Sequence, residues 1–124
     1  MQLTNNFKLE EFKCKDGSMP TGHLLDNVKA LAEQLQIIRD HTGKSISIIS
    51  GYRSPAWNAR VGGAGHSMHM EAKAADLNIS GYTPAQSHAL VEDLIKQGKL
   101  RNGGLGLYAG WIHYDIGPAR RWHG

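Results

Sequence analysis

Cysteine is almost absent from this chain of 124 residues: Cys14 stands alone. One thiol excludes an internal disulfide and a metal cluster built on cysteines, and the lysine-rich stretch around Cys14 offers it no histidine partner for nucleophilic work. Long apolar runs are also missing. Nothing approaches the roughly 20 residues a membrane-spanning helix needs, and the N-terminal MQLTNNFKLEEF has no apolar signal core. Charge of one sign is not concentrated either: 14 Lys and Arg face 11 Asp and Glu, a net +3. The basic residues are scattered apart from Lys13/Lys15 and Arg120-Arg121. With no basic helix and no interleaving of basic and aromatic residues, a nucleic-acid partner is not expected. The 15 glycines cluster (Gly62, Gly63, Gly65; Gly103, Gly104, Gly106) without repeating, so collagen-like and low-complexity chains are excluded and tight turns are expected.

What remains is a chain of one-domain length, residues 1–124, able to bury a core. Leu24, Val28, Leu31, Leu35 and Ile38 recur at steps of four and three, which predicts a helix from about Leu24 to His41 that stops at Gly43. Thr83-Pro84-Ala85-Gln86 carries a capping box with proline in the first turn and predicts a second helix reaching Gly98. Short helices are expected at Ser54-Pro55 and over Leu9–Lys13. Three strands separate them: Ser45–Ser50, Ala74–Ile79 and Trp111–Ile116, each alternating in polarity. The order predicts an α+β fold, a small and largely antiparallel sheet flanked by helices.

Alternation also places polar groups. Ala75, Leu77 and Ile79 share one face of their strand and Asp76 lies on the other. Ile112, Tyr114 and Ile116 oppose His113 and Asp115 in the same way. If the two strands pair in register, Asp76, His113 and Asp115 meet. His69, seven residues before Asp76 in the segment Val61–Met70, is placed to fold back over the strand end. Two imidazoles and a carboxylate are a catalytic zinc set. On spacing alone the favoured reading of these residues is solvated histidines near a turn and an aspartate ending a strand.

The wording of the motifs adds to this. Ser50-Gly-Tyr-Arg-Ser-Pro55, Asn58, Val61-Gly-Gly-Ala64, Ser67-x-His69, Ala74-Ala75-Asp76 and Trp111-x-His113-x-Asp115, followed by Gly117-Pro118 and Arg120-Arg121-Trp122, resemble the zinc D-Ala-D-Ala carboxypeptidase family. This is the hedgehog-like LAS metallopeptidase group, which also holds the L-alanyl-D-glutamate endopeptidases of phage endolysins. The resemblance runs from Phe7 to Trp122 and is to the short, single-domain subgroup. It implies one Zn2+ per chain on His69, Asp76 and His113. It also implies an oxyanion- or carboxylate-binding role for Arg53, and a loop-orienting or substrate-touching role for Ser67. The implied activity is hydrolysis of peptidoglycan stem peptides at the bacterial cell wall, as a D,D-carboxypeptidase or an endolysin-type endopeptidase; separately, nothing in the sequence forces more than a monomer. A catalytically idle zinc domain that binds cell wall or a protein partner is the alternative.

Two positions depart from the family pattern. Ala72 stands where many members have glycine, a small change only if that backbone is not left-handed. Gly110 stands where many members carry an acidic general base three residues before the last histidine, and nothing from Arg101 to Ile112 is acidic. Asp115 is then the candidate base, with orientation of a ligand histidine as its other reading. His66 is a candidate proton shuttle or spare ligand, and Glu71 a weak candidate base. Trp57, Tyr108 and Trp111 are candidate walls of the groove. His23, His41, His88 and His123 carry no expected role.

Overall fold

The apolar stripe of the first long helix does what its spacing dictates. In the computed structural model, which describes residues 1–124, helix α1 covers His23–Thr42 and buries Val28, Leu31, Ala32, Leu35 and Ile38. It ends at Gly43, whose left-handed conformation (φ +65°) lets its N–H reach the carbonyl of Arg39. A short 3-10 helix at Leu9–Phe12 precedes it, and α2 (Pro55–Arg60) starts at the Ser54 cap. Helix α3, Pro84–Lys96, opens with the expected box: Thr83 Oγ1 accepts from the Gln86 N–H at 3.1 Å, and Gln86 Oε1 accepts from the Thr83 N–H at 2.9 Å.

Five strands build one open sheet: β1 (Ile46–Ser50), β2 (Ala74–Ile79), β3 (Gly104–Leu107), β4 (Ile112–Asp115) and β5 (Arg120–His123), in the order β1-β2-β4-β3-β5. All neighbours are antiparallel except β3 and β5, which run parallel. The α+β architecture with a largely antiparallel sheet is therefore as expected, with two more strands than the three that alternation predicts. One face of the sheet carries Ile46, Leu77, Ile79, Leu105, Ile112 and Tyr114 into a single hydrophobic cluster shared with α1, α3 and Phe7, Phe12 of the N-terminal segment.

The register creates two polar rows on the other face. Asp76 opposes His113, which opposes Gly106, which opposes Trp122. In the next row Ala74 opposes Asp115, then Gly104, then Arg120. At the far edge a bulge between Ile48 and Ser50 brings Ser50 opposite Asp76 and leaves Ile49 exposed.

The strand β3 was hidden because its alternation is leucine against glycine, and those glycines were expected in turns. Glycine inside a strand marks close approach of other atoms. A Cβ on Gly106 would collide with the indole of Trp122, and one on Gly104 with the Asp115 carboxylate and the Arg120 guanidinium. Strand β5 was hidden because only its Trp122 is partly buried; its arginines and His123 are exposed. Gly106→Ala is expected to lower unfolding stability by about 1–3 kcal/mol through overpacking. Urea denaturation reads this directly, and an unchanged midpoint would contradict the close approach.

Candidate metal centre and cleft

The chain between α2 and β2 is organised by its own hydrogen bonds. Ser67 Oγ accepts from the His69 N–H at 3.2 Å and so caps the turn that presents the imidazole. The His69 carbonyl accepts from the Arg53 N–H at 3.0 Å and from the Ala72 N–H at 3.2 Å, tying the Ser50–Pro55 turn to this loop. Ala72 closes the loop with φ +56°, a left-handed conformation, and its methyl is buried. The exchange of glycine for alanine here is thus not the small change expected of an ordinary backbone. It holds roughly 1–2 kcal/mol of strain, offset by about 0.8 kcal/mol of buried methyl.

Three side chains meet where β2, β4 and this loop converge. His69, Asp76 and His113 are all buried, and each offers a ligand atom within 4.8 Å of the others. Asp76 Oδ1 lies 3.4 Å from His69 Nε2 and 3.1 Å from His113 Nδ1. The remaining nitrogens are occupied elsewhere. His69 Nδ1 is 2.7 Å from the Gly51 carbonyl, to which it donates, so Nε2 is left as the acceptor. His113 Nε2 is 2.7 Å from Asp115 Oδ2, which leaves Nδ1 facing Asp76.

This arrangement fits a zinc ion. Ligand atoms about 2.0–2.1 Å from a tetrahedral ion lie roughly 3.3 Å from one another, close to the spacings around Asp76 Oδ1. The outward N–H of each imidazole has a fixed acceptor, as metal-binding histidines require. Gly51 lies hard against the Phe12 backbone, where a Cβ would be 2.7 Å from the Phe12 Cα, and the next residue ties the two segments by the Tyr52 N–H donating to the Phe12 carbonyl at 2.8 Å.

The electrostatics follow from the same contacts. Burial pushes the Asp76 carboxyl up, but hydrogen bonds and charge from His113 and His69 outweigh it and hold it well below the usual carboxylate range. Burial pushes the His113 imidazole down, yet hydrogen bonds to Asp115 and Asp76 raise it above the ordinary histidine value.

Asp115 does not join the three. It is completely buried behind His113, and each of its oxygens is engaged twice. Oδ1 accepts from the Gly104 N–H at 3.0 Å and the Gly117 N–H at 2.9 Å; Oδ2 takes His113 Nε2 and Arg120 Nη2, both at 2.7 Å.

A cleft of about 490 Å³ opens above the donor atoms. Arg53 lines it, with Nη2 3.6 Å from Asp76 Oδ2 and Nη1 3.5 Å from Asn58 Oδ1. Asn58 is buried and donates to the Ala64 carbonyl at 2.8 Å, so it joins Arg53 to the glycine turn. Asn58 stands among the sequence motifs without a role, and its spacing from Arg53, which precedes α2, does not announce this contact.

Ser67 and His66 also line the cleft, and Tyr108 and Trp111 form one wall with their rings stacked 4.9 Å apart. Trp122, unassigned by the sequence, completes that wall. Its Nε1 donates to the Tyr108 hydroxyl at 2.8 Å, and its ring packs 4.8 Å from that of His113. Trp57 is elsewhere, packed against the hydrophobic cluster with Arg60 over its ring. Glu71 pairs with Lys73 at 3.5 Å, outside the cleft. Gly110 sits exposed at the tip of the β3–β4 hairpin, closed by the Tyr108 N–H to the Trp111 carbonyl at 3.0 Å.

Because Ala72 is left-handed and enclosed, Ala72→Gly should change stability by less than about 1 kcal/mol. Ala72→Val should lose more than about 2 kcal/mol, since a β-branched residue is an outlier at positive φ. Equal stability of the two variants by thermal unfolding would contradict the left-handed assignment.

Known proteins resemble this chain over most of its length. The family model described as Peptidase M15 matches residues 5–115. Peptidoglycan L,D-endopeptidase MepK of Escherichia coli strain K12 is 36% identical over 88 residues, covering 65% of this chain and 45% of MepK. The MepK proteins of the O6:H1 and O157:H7 strains match to the same extent. The matched segment thus spans less than half the length of these relatives.

Proposed function

This chain belongs to the peptidase M15 family, and on that premise we propose that it is a zinc-dependent peptidase that hydrolyses an amide bond in peptidoglycan stem peptides. The observation that carries the reading is the convergence of His69 Nε2, Asp76 Oδ1 and His113 Nδ1 on the floor of an open cleft. The similarity to MepK, named for acting on peptidoglycan, supports the substrate class.

In this reading residues 1–124 form one domain that acts as a monomer with one Zn2+, at the bacterial cell wall. No helix is long and apolar enough to cross a membrane. His69, Asp76 and His113 would hold the ion. When bound, zinc supplies Lewis acidity, polarising a carbonyl and lowering the pKa of water toward 7.

The other residues position and stabilise. Arg53 stands beside the donor atoms with its guanidinium held by Asn58 and Asp76, where it would face the negative charge that builds on the scissile carbonyl oxygen. Ser67 fixes the turn that presents His69. Asp115 is assigned to orientation of His113 and not to the base role, because both its oxygens are spent and it lies away from the cleft. The bond cut is either the terminal D-Ala-D-Ala link or one nearer the glycan.

Digestion of purified muropeptides by the zinc-loaded protein, read by mass spectrometry, tests the proposal. The expected result is a defined peptide product that disappears with chelator. No chelator-sensitive product would favour the alternative, a domain that binds cell wall without cutting it. Separately, Asp115→Asn is expected to weaken zinc binding about 10–100-fold, as loss of an orienting partner does. Competition against a chromophoric chelator measures this, and unchanged affinity would contradict the orienting role.

A further inference from the structure

A hydrolase must move a proton from water to the departing amine, and the cleft offers few groups for it. Asp76 is the single acidic residue in its lining, and its carboxylate is engaged by His69, His113 and Arg53. Arg53 and Arg120 are guanidinium groups, which do not release protons in proteins. Asp115 and Glu71 lie outside the cleft. The Tyr108 hydroxyl accepts from Trp122, and a phenol, which normally keeps its proton near neutral pH, is not a base for water. Of the three imidazoles in the lining, two are buried donors of the metal cluster. The third, His66, lines the cleft from the glycine-rich loop and is exposed. Imidazole is also the side-chain type that ordinarily changes charge between pH 5 and 8.

We propose that His66 is a catalytic residue, the group that carries the proton in amide hydrolysis. The inference rests on the peptidase reading above and extends it. Neutral His66 takes a proton from water as the water oxygen bonds to the carbonyl carbon. The imidazolium then gives that proton to the amide nitrogen as the C–N bond breaks. The products are a carboxylic acid and an amine, and the imidazole is neutral again. A loop position suits the role. The Ser67 N–H donates to the Ala64 carbonyl (3.2 Å) and the Gly63 N–H to the Asn58 carbonyl (2.8 Å), so the backbone is fixed at both sides of His66 while its side chain is exposed at the cleft.

The test is muropeptide hydrolysis by wild type and His66→Ala, both zinc-loaded, with zinc affinity and thermal stability measured alongside. The variant is expected to lose kcat by about 10²–10⁴-fold, with KM, zinc affinity and melting temperature unchanged, and to regain part of the lost rate with added imidazole. A kcat within about threefold of wild type would overturn the proposal. So would a loss of zinc affinity, which would make His66 a ligand, or a deficit that imidazole leaves untouched. Failure of the wild type itself to cleave would overturn the peptidase reading and this proposal with it.

Discussion

His113 is held between two buried carboxylates, Asp76 at 3.1 Å from Nδ1 and Asp115 at 2.7 Å from Nε2, and most of the polar face of the sheet is arranged around that row. A carboxylate without partners is costly to bury. Asp115 is tolerated because two backbone N–H groups, an imidazole and a guanidinium surround it. Fixing the outer nitrogen of His113 also decides which lone pair faces the cleft. The donor cluster therefore depends on a residue that never reaches it.

That constraint explains features with no direct part in chemistry. Strand β3 carries glycine opposite His113 and Asp115 because the neighbouring β5 must lean side chains across it. Trp122 crosses Gly106 to pack on His113, and Arg120 crosses Gly104 to reach Asp115. The parallel strand at the sheet's edge is thereby coupled to the centre of the site, and its aromatic ring becomes part of the cleft wall. On the other flank, Gly51 lets the Phe12 backbone approach and offers its carbonyl to His69.

Much of this was legible beforehand. Alternation in Ala74–Ile79 and Trp111–Ile116 put Asp76 and His113 on one face, and the observed register sets them opposite each other. The long helices were written in their apolar spacing and caps. Alternation does not tell whether Asp115 reaches the cleft or lies buried behind His113, because it shares the face of β4 that His113 presents in either case. The difference comes from β3 and β5, whose strand signals are weak: glycine in one, exposed arginines in the other. The left-handed state of Ala72 was likewise invisible, since nothing in an alanine announces positive φ. Trp122 joined the cleft only through tertiary contact.

The most direct test of the account is the position of the metal in crystals of the zinc-loaded protein, located by anomalous scattering at the zinc edge. The expected result is a single site bonded to His69 Nε2, Asp76 and His113 Nδ1, with Asp115 still on the far nitrogen of His113. Zinc held by other residues, or by His113 through Nε2 with Asp115 displaced, would contradict it.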